Sequence, residues 1–285
     1  MAKMSHIQDL KFRLMTVDLL RLAKKRFTYR DLSKMVNLQI TVLSRYVKGH
    51  VLPSTDRAIK IWSTLNPIVG LESELWRRVV FDEEGYFDNT GIIGNSTILQ
   101  LVAQDALSRF AGVRINKVLT AAVDGIPIAT AVAQAMDVDL IIAKKSKEVG
   151  VSEFVEESYI LKDTGMVVPL YIPKNAIKRR ESILIVDDII RTGETQKALI
   201  SLVHKCKAEV AGIYALVAIG ENIEAKISPP PGCRVEIVLR IRPEQISKRS
   251  FENIGKQKRR EGQTLSDDFT FDRNSSSSLR LGKPS

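Results

Sequence analysis

Apolar positions follow two rhythms along the chain. Over residues 7–25 they recur at helical spacing, with Ile7, Leu10, Leu14, Val17 and the group Leu19, Leu20 and Leu22 predicted to share a helix face. Two shorter helices are predicted next. Thr28 stands as an N-cap with Asp31 three residues on, Leu32, Met35 and Val36 turn inward, and Asn37 suits a left-handed helix end. Residues 40–48 give the second, which buries Leu43 and Val47 and stops at Gly49. The run Asn66, Pro67, Ile68, Val69 and Gly70 breaks the pattern and reads as a linker. The segment LESELWRRVVFD after it reads as a connecting helix, packed on a second domain through Leu75, Trp76 and Val79.

From about residue 90 the rhythm changes to strands alternating with helices. Ser96 is the expected cap of a helix running to about Phe110, and residues 119–136 read as strand, turn and helix. Further strands are expected at 139–145, 167–173, 183–188 and 210–220, with a last one in CRVEIVLRI. That alternation predicts an α/β fold with a doubly wound parallel sheet, covered on both faces and preceded by a small all-α domain. The resulting division is a helical domain at 1–66, a linker and connecting helix at 67–90, and an α/β domain at 91–254. Residues 255–285 are charged, then Ser-rich and poor in large apolar side chains, so a disordered tail is expected there.

Composition narrows the function. No apolar run approaches the roughly 20 residues of a membrane span, and the first residues lack an apolar signal core, so a cytoplasmic protein is expected. Cys206 and Cys233 have no metal-ligand spacing and read as buried thiols, and His6, His50 and His204 are scattered, so no direct metal site is expected. The net charge of +10 is unevenly placed. Residues 1–65 hold thirteen Lys and Arg against four Asp and no Glu, an excess of nine. A basic segment with helical patterning points to duplex DNA, with a small helical dimerisation unit as the bland alternative.

The chemistry concentrates in ILIVDDIIRTGET, residues 183–195. A buried strand leads to Asp187 and Asp188, then to a turn and a helix predicted over residues 196–205. Backbone N–H groups at a helix start suit a phosphate. Gly193 lets the backbone approach the anion, Arg191, Thr192, Glu194 and Thr195 complete the loop, and the two acids can accept from sugar hydroxyls or face a metal-bound diphosphate. An ordinary strand–loop–helix unit of another doubly wound protein is the alternative. The stretch resembles the signature of type I phosphoribosyltransferases, which bind 5-phosphoribosyl-1-diphosphate (PRPP) with Mg2+.

That resemblance implies more of the site. The turn Ala122, Val123, Asp124, Gly125 with Ile126 and Pro127 is similar to the family's diphosphate loop, and Lys144, Lys145 and Lys147 stand where the family carries cations, though a solvated lysine cluster would look the same. Val149 replaces the His of orotate-type enzymes, which argues against orotate chemistry. Residues 152–165 would then be a flexible flap over the site, with Ser158 and Tyr159 similar to a pair in a closing loop of some relatives, while Tyr159 could equally be an ordinary strand aromatic. At the other end, Leu43, Ser44, Arg45, Tyr46, Gly49, Pro53 and Ser54 resemble the lambda-repressor-like helix-turn-helix class. Residues 40–48 would then be the recognition helix, with Gln39, Thr41, Ser44, Arg45 and Lys48 toward DNA. The combination resembles purine-repressor-type regulators. It implies a transcriptional regulator, a homodimer or higher homo-oligomer, that senses PRPP or a purine-related nucleotide, with an active purine or pyrimidine phosphoribosyltransferase as the alternative and no catalytic residue assigned.

Overall fold

In a computed structural model, residues 6–82, 86–161 and 164–245 are described. The expected tail at 255–285 lies outside them. Five helices open the chain: α1 (His6–Lys24), α2 (Tyr29–Val36), α3 (Ile40–Val47), α4 (Thr55–Val69) and α5 (Leu71–Arg78). A two-stranded antiparallel pair, β1 (Val80–Phe81) and β2 (Phe87–Asp88), and the short α6 (Thr90–Ile93) lead to α7 (Ser96–Arg109).

The local signals of the head hold. Thr28 and Asp31 form a reciprocal capping box, and Asn37 ends α2 with φ 53° and ψ 53°. Removing the cap should cost about 1 kcal/mol. Thr28→Ala is therefore expected to lower the melting temperature by roughly 2–4 °C, as read by scanning calorimetry. Leu32, Val36 and Leu43 are fully buried, as is Tyr46.

Several expectations are corrected here. Met35 and Val47 are not in the core: Met35 is exposed and Val47 only half-buried, because Tyr46 takes the inward position on α3. On α1, Ile7, Leu10 and Leu14 face outward, and burial begins at Thr16 and Val17, where α4 covers the helix. Pro67 does not break α4. It lies in the last turn, where little helix remains to be disrupted, and Gly70 closes the helix through its N–H to Asn66 O. α5 follows directly, so the expected linker is largely helical.

The core opens with β3 (Lys117–Ala121), α8 (Gly125–Met136) and β4 (Asp139–Ala143). β5 (Phe154–Ile160) and β6 (Val167–Pro173) come next, followed by β7 (Ser182–Ile190), α9 (Glu194–Lys205), β8 (Glu209–Ile219), α10 (Ile223–Ile227) and β9 (Arg234–Ile241). The main sheet is parallel with strand order β4-β3-β7-β8-β9. Its strands alternate between two apolar clusters: Leu184, Val186 and Tyr214 face α7 and α8, while Ile183, Ile185 and Ala215 face α9. The first cluster runs on without interruption through Leu75 and Leu65 to Leu19, Leu32 and Leu43 in the head. Head and core therefore share one hydrophobic core.

Two core expectations change. Residues 167–173 leave the parallel sheet and pair antiparallel with β5, so residues 154–160 of the expected flap form a strand instead. Ser201 Oγ on α9 donates to the Glu157 carboxylate, and Lys205 Nζ donates to Glu156 O at 2.7 Å, fastening that strand to α9. Tyr159 is a partly buried member of the strand, packed against the second cluster. α7 is capped by Asn95, whose side chain accepts from Ile98 N at 3.1 Å, with Ser96 as the first helical residue. Cys206 and Cys233 are half-buried, and burial pushes both thiols up from their ordinary value.

Candidate functional site

β3 and β7 lie side by side at the centre of the sheet, and their connections leave in opposite directions, β3 to β4 and β7 to β8. This is a topological switch point, where the carboxyl ends of strands in an open α/β sheet form a crevice. Ala122, Val123, Asp124 and Gly125 follow β3, Asp187 and Asp188 lie within β7, and Lys144 follows β4 on the far side of β3. Three of the sequence-predicted segments are thus gathered at one edge. β7 runs further than expected, to Ile190, so the loop shrinks to Arg191, Thr192 and Gly193, and α9 starts at Glu194 rather than at Gln196.

Two glycines set how closely the walls approach. A Cβ on Gly125 would lie 2.4 Å from Thr120 Oγ1 and 3.1 Å from Asp187 Oδ1, so α8 can begin against β7 only with glycine here. Gly193 has φ +78° and a Cβ there would meet the Lys226 carbonyl carbon at 2.9 Å. Only glycine meets both demands without strain. The Ala122–Val123 peptide is cis, and Val123 stands out into solvent.

The acid pair is buried. Asp187 and Asp188 are 6% and 9% exposed. Gln196 Nε2 donates to Asp187 Oδ2 at 2.5 Å, the Asp188 N–H to Asp187 Oδ1 at 3.0 Å, and Asn89 Nδ2 to Asp188 Oδ2 at 2.6 Å. Burial pushes the Asp187 carboxyl well above the ordinary carboxylate range, and the charge of Asp188 pushes it the same way. Burial also raises Asp188; the Asn89 hydrogen bond opposes that rise and the charge of Asp124 adds to it. A carboxyl whose folded pKa exceeds the unfolded value of about 3.9 makes the protein less stable as pH climbs from there through the folded value. Asp187→Asn is therefore expected to flatten the fall of the melting temperature as pH rises above that unfolded value. An unchanged slope in a pH series of melting curves would contradict this.

These residues suit a polyhydroxylated, anionic ligand. Among the described residues no group of three His, Cys, Asp or Glu could hold a metal by itself. The carboxylates offer acceptors to hydroxyl donors, and the start of α9 offers N–H groups to an anion. The lysines are less available than the sequence suggests: Lys144 pairs with Glu148 at 2.9 Å and Lys147 with Glu156 at 3.4 Å, while Lys147 also lies 5.1 Å from the Tyr171 ring centre. Lys145 is exposed. Arg191 lies over the Tyr86 ring at 5.4 Å, Glu194 pairs with Lys197 at 3.4 Å, and Thr192 and Thr195 are half-buried at the loop.

Sequence reasoning missed Gln196, Asn89 and Tyr86. Gln196 had a local signal, since it shares the inward face of α9 with Leu199, Ile200 and Val203. Asn89 had none: it meets Asp188 across 99 positions of sequence.

On the head, Gln39, Thr41, Arg45 and Lys48 are exposed and Ser44 is half-buried. Arg21 Nε donates to Val47 O at 3.0 Å and Arg57 Nη1 to Tyr46 Oη at 3.0 Å, which fixes α3 from both sides. Arg30 and Lys34 extend the exposed basic surface on α2.

Comparison with known proteins agrees with this geometry. The phosphoribosyl transferase domain model matches residues 98–239. The purine biosynthesis transcriptional repressor PurR of Bacillus subtilis (strain 168) is 32% identical over 143 residues, 50% of this chain and 50% of that protein. The chain spans about half the length of the purine-regulator relatives it matches. Xanthine phosphoribosyltransferase 1 of Clostridium perfringens (strain ATCC 13124) is 31% identical over 140 residues, 48% of this chain and 74% of that protein. The structure of adenine phosphoribosyltransferase from Thermoanaerobacter pseudethanolicus superposes with a TM-score of 0.54 at 18% identity, covering 60% of this chain and 99% of that one, which establishes the fold. With its strand order, its switch-point crevice and these matches, the chain belongs to the family of proteins built on the phosphoribosyl transferase domain.

Proposed function

We propose that this protein is a DNA-binding transcriptional regulator of nucleotide metabolism whose phosphoribosyltransferase-like core binds PRPP with Mg2+ as an effector. One observation carries the reading: the basic helical head and the acid-pair crevice stand on a single continuous apolar core. A head joined in this way is placed to respond to what the core binds. The name of the Bacillus subtilis relative, a purine biosynthesis repressor, supports the same reading.

In this proposal Asp187 and Asp188 accept from the ribose hydroxyls. The loop Arg191, Thr192, Gly193, Glu194 and Thr195 cradles the 5′-phosphate at the start of α9. Ala122, Val123, Asp124 and Gly125, with Lys144, Lys145 and Lys147, face the diphosphate. Mg2+ carried on the diphosphate would offset its charge near Asp187 and Asp188. Gln39, Thr41, Ser44, Arg45 and Lys48 face DNA. Two-fold operators require two heads, so a homodimer is proposed. Among the described residues no helix is long and apolar enough to cross a membrane.

A working transferase is the second reading, favoured by the match over 74% of a xanthine phosphoribosyltransferase. Against it, Val149 stands fully exposed where orotate-type enzymes carry His. Incubation with PRPP, Mg2+ and each common nucleobase tests this directly. Diphosphate release is expected to stay at the base-free background; robust nucleotide formation with any one base would make the protein an enzyme.

A further inference from the structure

We infer that Asn89 is a positioning residue of the ligand site, which ties the segment before α7 to Asp188 so that occupation of the acid pair is transmitted to the basic head. The inference rests on the proposed binding of Mg–PRPP at that pair. Asn89 lies outside residues 98–239, which the domain model matches, yet its side-chain amide donates to Asp188 Oδ2 at 2.6 Å. Three residues earlier, Tyr86 stacks against Arg191 at 5.4 Å. One short segment therefore touches both ends of the signature, the carboxylate and the loop cation.

The segment is held firmly enough to respond as a unit. Asp88 accepts from the Thr90 N–H at 2.9 Å and from its hydroxyl, fixing the turn that aims Asn89, and Ile92 is buried in the core shared with the head. Asp188 keeps further acceptor sites beside the one that takes the Asn89 amide, so a hydroxyl or cation can add to a carboxylate whose orientation Asn89 fixes, and the load it places on that carboxylate bears on Asn89. Going back along the chain, β2 pairs with β1, and β1 follows α5. In α5 the buried Glu74 accepts from Arg26 Nη1 at 3.1 Å, and Arg26 lies just beyond the end of α1. The contacts from Asp188 to the head are contiguous, and they amount to coupling only if both ends move together.

Hydrogen–deuterium exchange on the full chain, with and without saturating Mg–PRPP, tests this alongside melting curves. In the wild type, PRPP is expected to raise the melting temperature and to change exchange several-fold over residues 86–95 and in α5. Asn89→Ala should bind PRPP several-fold to about tenfold more weakly, the scale of one lost hydrogen bond to a charged group. At saturation it should still be stabilised, but α5 should no longer respond. Asn89→Asp keeps the shape and, above neutral pH, loses the donor, so it should fail as the alanine variant does; wild-type behaviour there would reduce Asn89 to a packing role. An α5 response unchanged in Asn89→Ala would overturn the inference. So would a wild-type protein stabilised by PRPP with no response in α5. No stabilisation of the wild type at all would instead remove the PRPP reading itself, and this inference with it.

Discussion

Replacing Asp187 and Asp188 together by Ala is expected to abolish thermal stabilisation by Mg–PRPP, which at 100 times the Kd amounts to roughly 2.7 kcal/mol for an intact site. Both carboxyls are buried and hydrogen-bonded, yet burial raises both above the ordinary carboxylate range, with the charge of Asp188 adding to the rise of Asp187 and that of Asp124 to the rise of Asp188. A ribose offering two hydroxyl donors, with a cation close by, supplies what they lack. Loss of the pair should therefore remove binding rather than weaken it. The alanines would strand the amides of Gln196 and Asn89, so the isosteric pair Asp187→Asn and Asp188→Asn serves as the second variant. It keeps the shape and should lose stabilisation equally. Full stabilisation in both double variants would move the ligand site elsewhere.

The second large effect concerns DNA. Arg45 is exposed in the last turn of α3, and the surrounding contacts of Arg21 and Arg57 hold that helix without using it. An arginine so placed can make a bidentate contact with a guanine edge. Arg45→Ala is expected to cost about 1–3 kcal/mol of specific binding and to relax preference at one operator position. Lys48, at the end of the helix, should behave differently. Lys48→Ala should weaken all sequences alike and reduce the salt slope by about 1, as loss of a phosphate contact does. Fluorescence anisotropy over a salt series separates the two. Equal losses on specific and random duplexes for Arg45→Ala would exclude base reading.

Elements that were legible in the sequence are those whose signal is local. The capping box at Thr28, the left-handed Asn37 and the apolar runs of β7 and β8 each appear within a few residues of the structure they cause. β6 was misplaced for a physical reason. Val168, Leu170 and Ile172 point inward, but Val167, Pro169 and Tyr171 between them are also apolar or aromatic, so a hairpin strand reads like one buried on both faces. The outward stripe of Ile7, Leu10 and Leu14 shows the same limit on a helix, since periodicity marks a face without saying what covers it. In the site, Asp187, Asp188 and Gly193 were recognisable by type and spacing. Asn89 became visible only when folding brought it to Asp188.

The central claim is that one core couples two binding sites, and coupling is reciprocal: a ligand that changes DNA affinity by some factor must have its own affinity changed by DNA by the same factor. The decisive measurement is a titration of the full-length protein onto duplexes from upstream of nucleotide-metabolism genes, with and without saturating Mg–PRPP, paired with PRPP titrations with and without the bound duplex. Specific binding that shifts with PRPP, by a factor that recurs in the reverse titration, is the predicted result. DNA affinity identical in the presence and absence of PRPP, in a protein that calorimetry shows to be fully loaded, would contradict it.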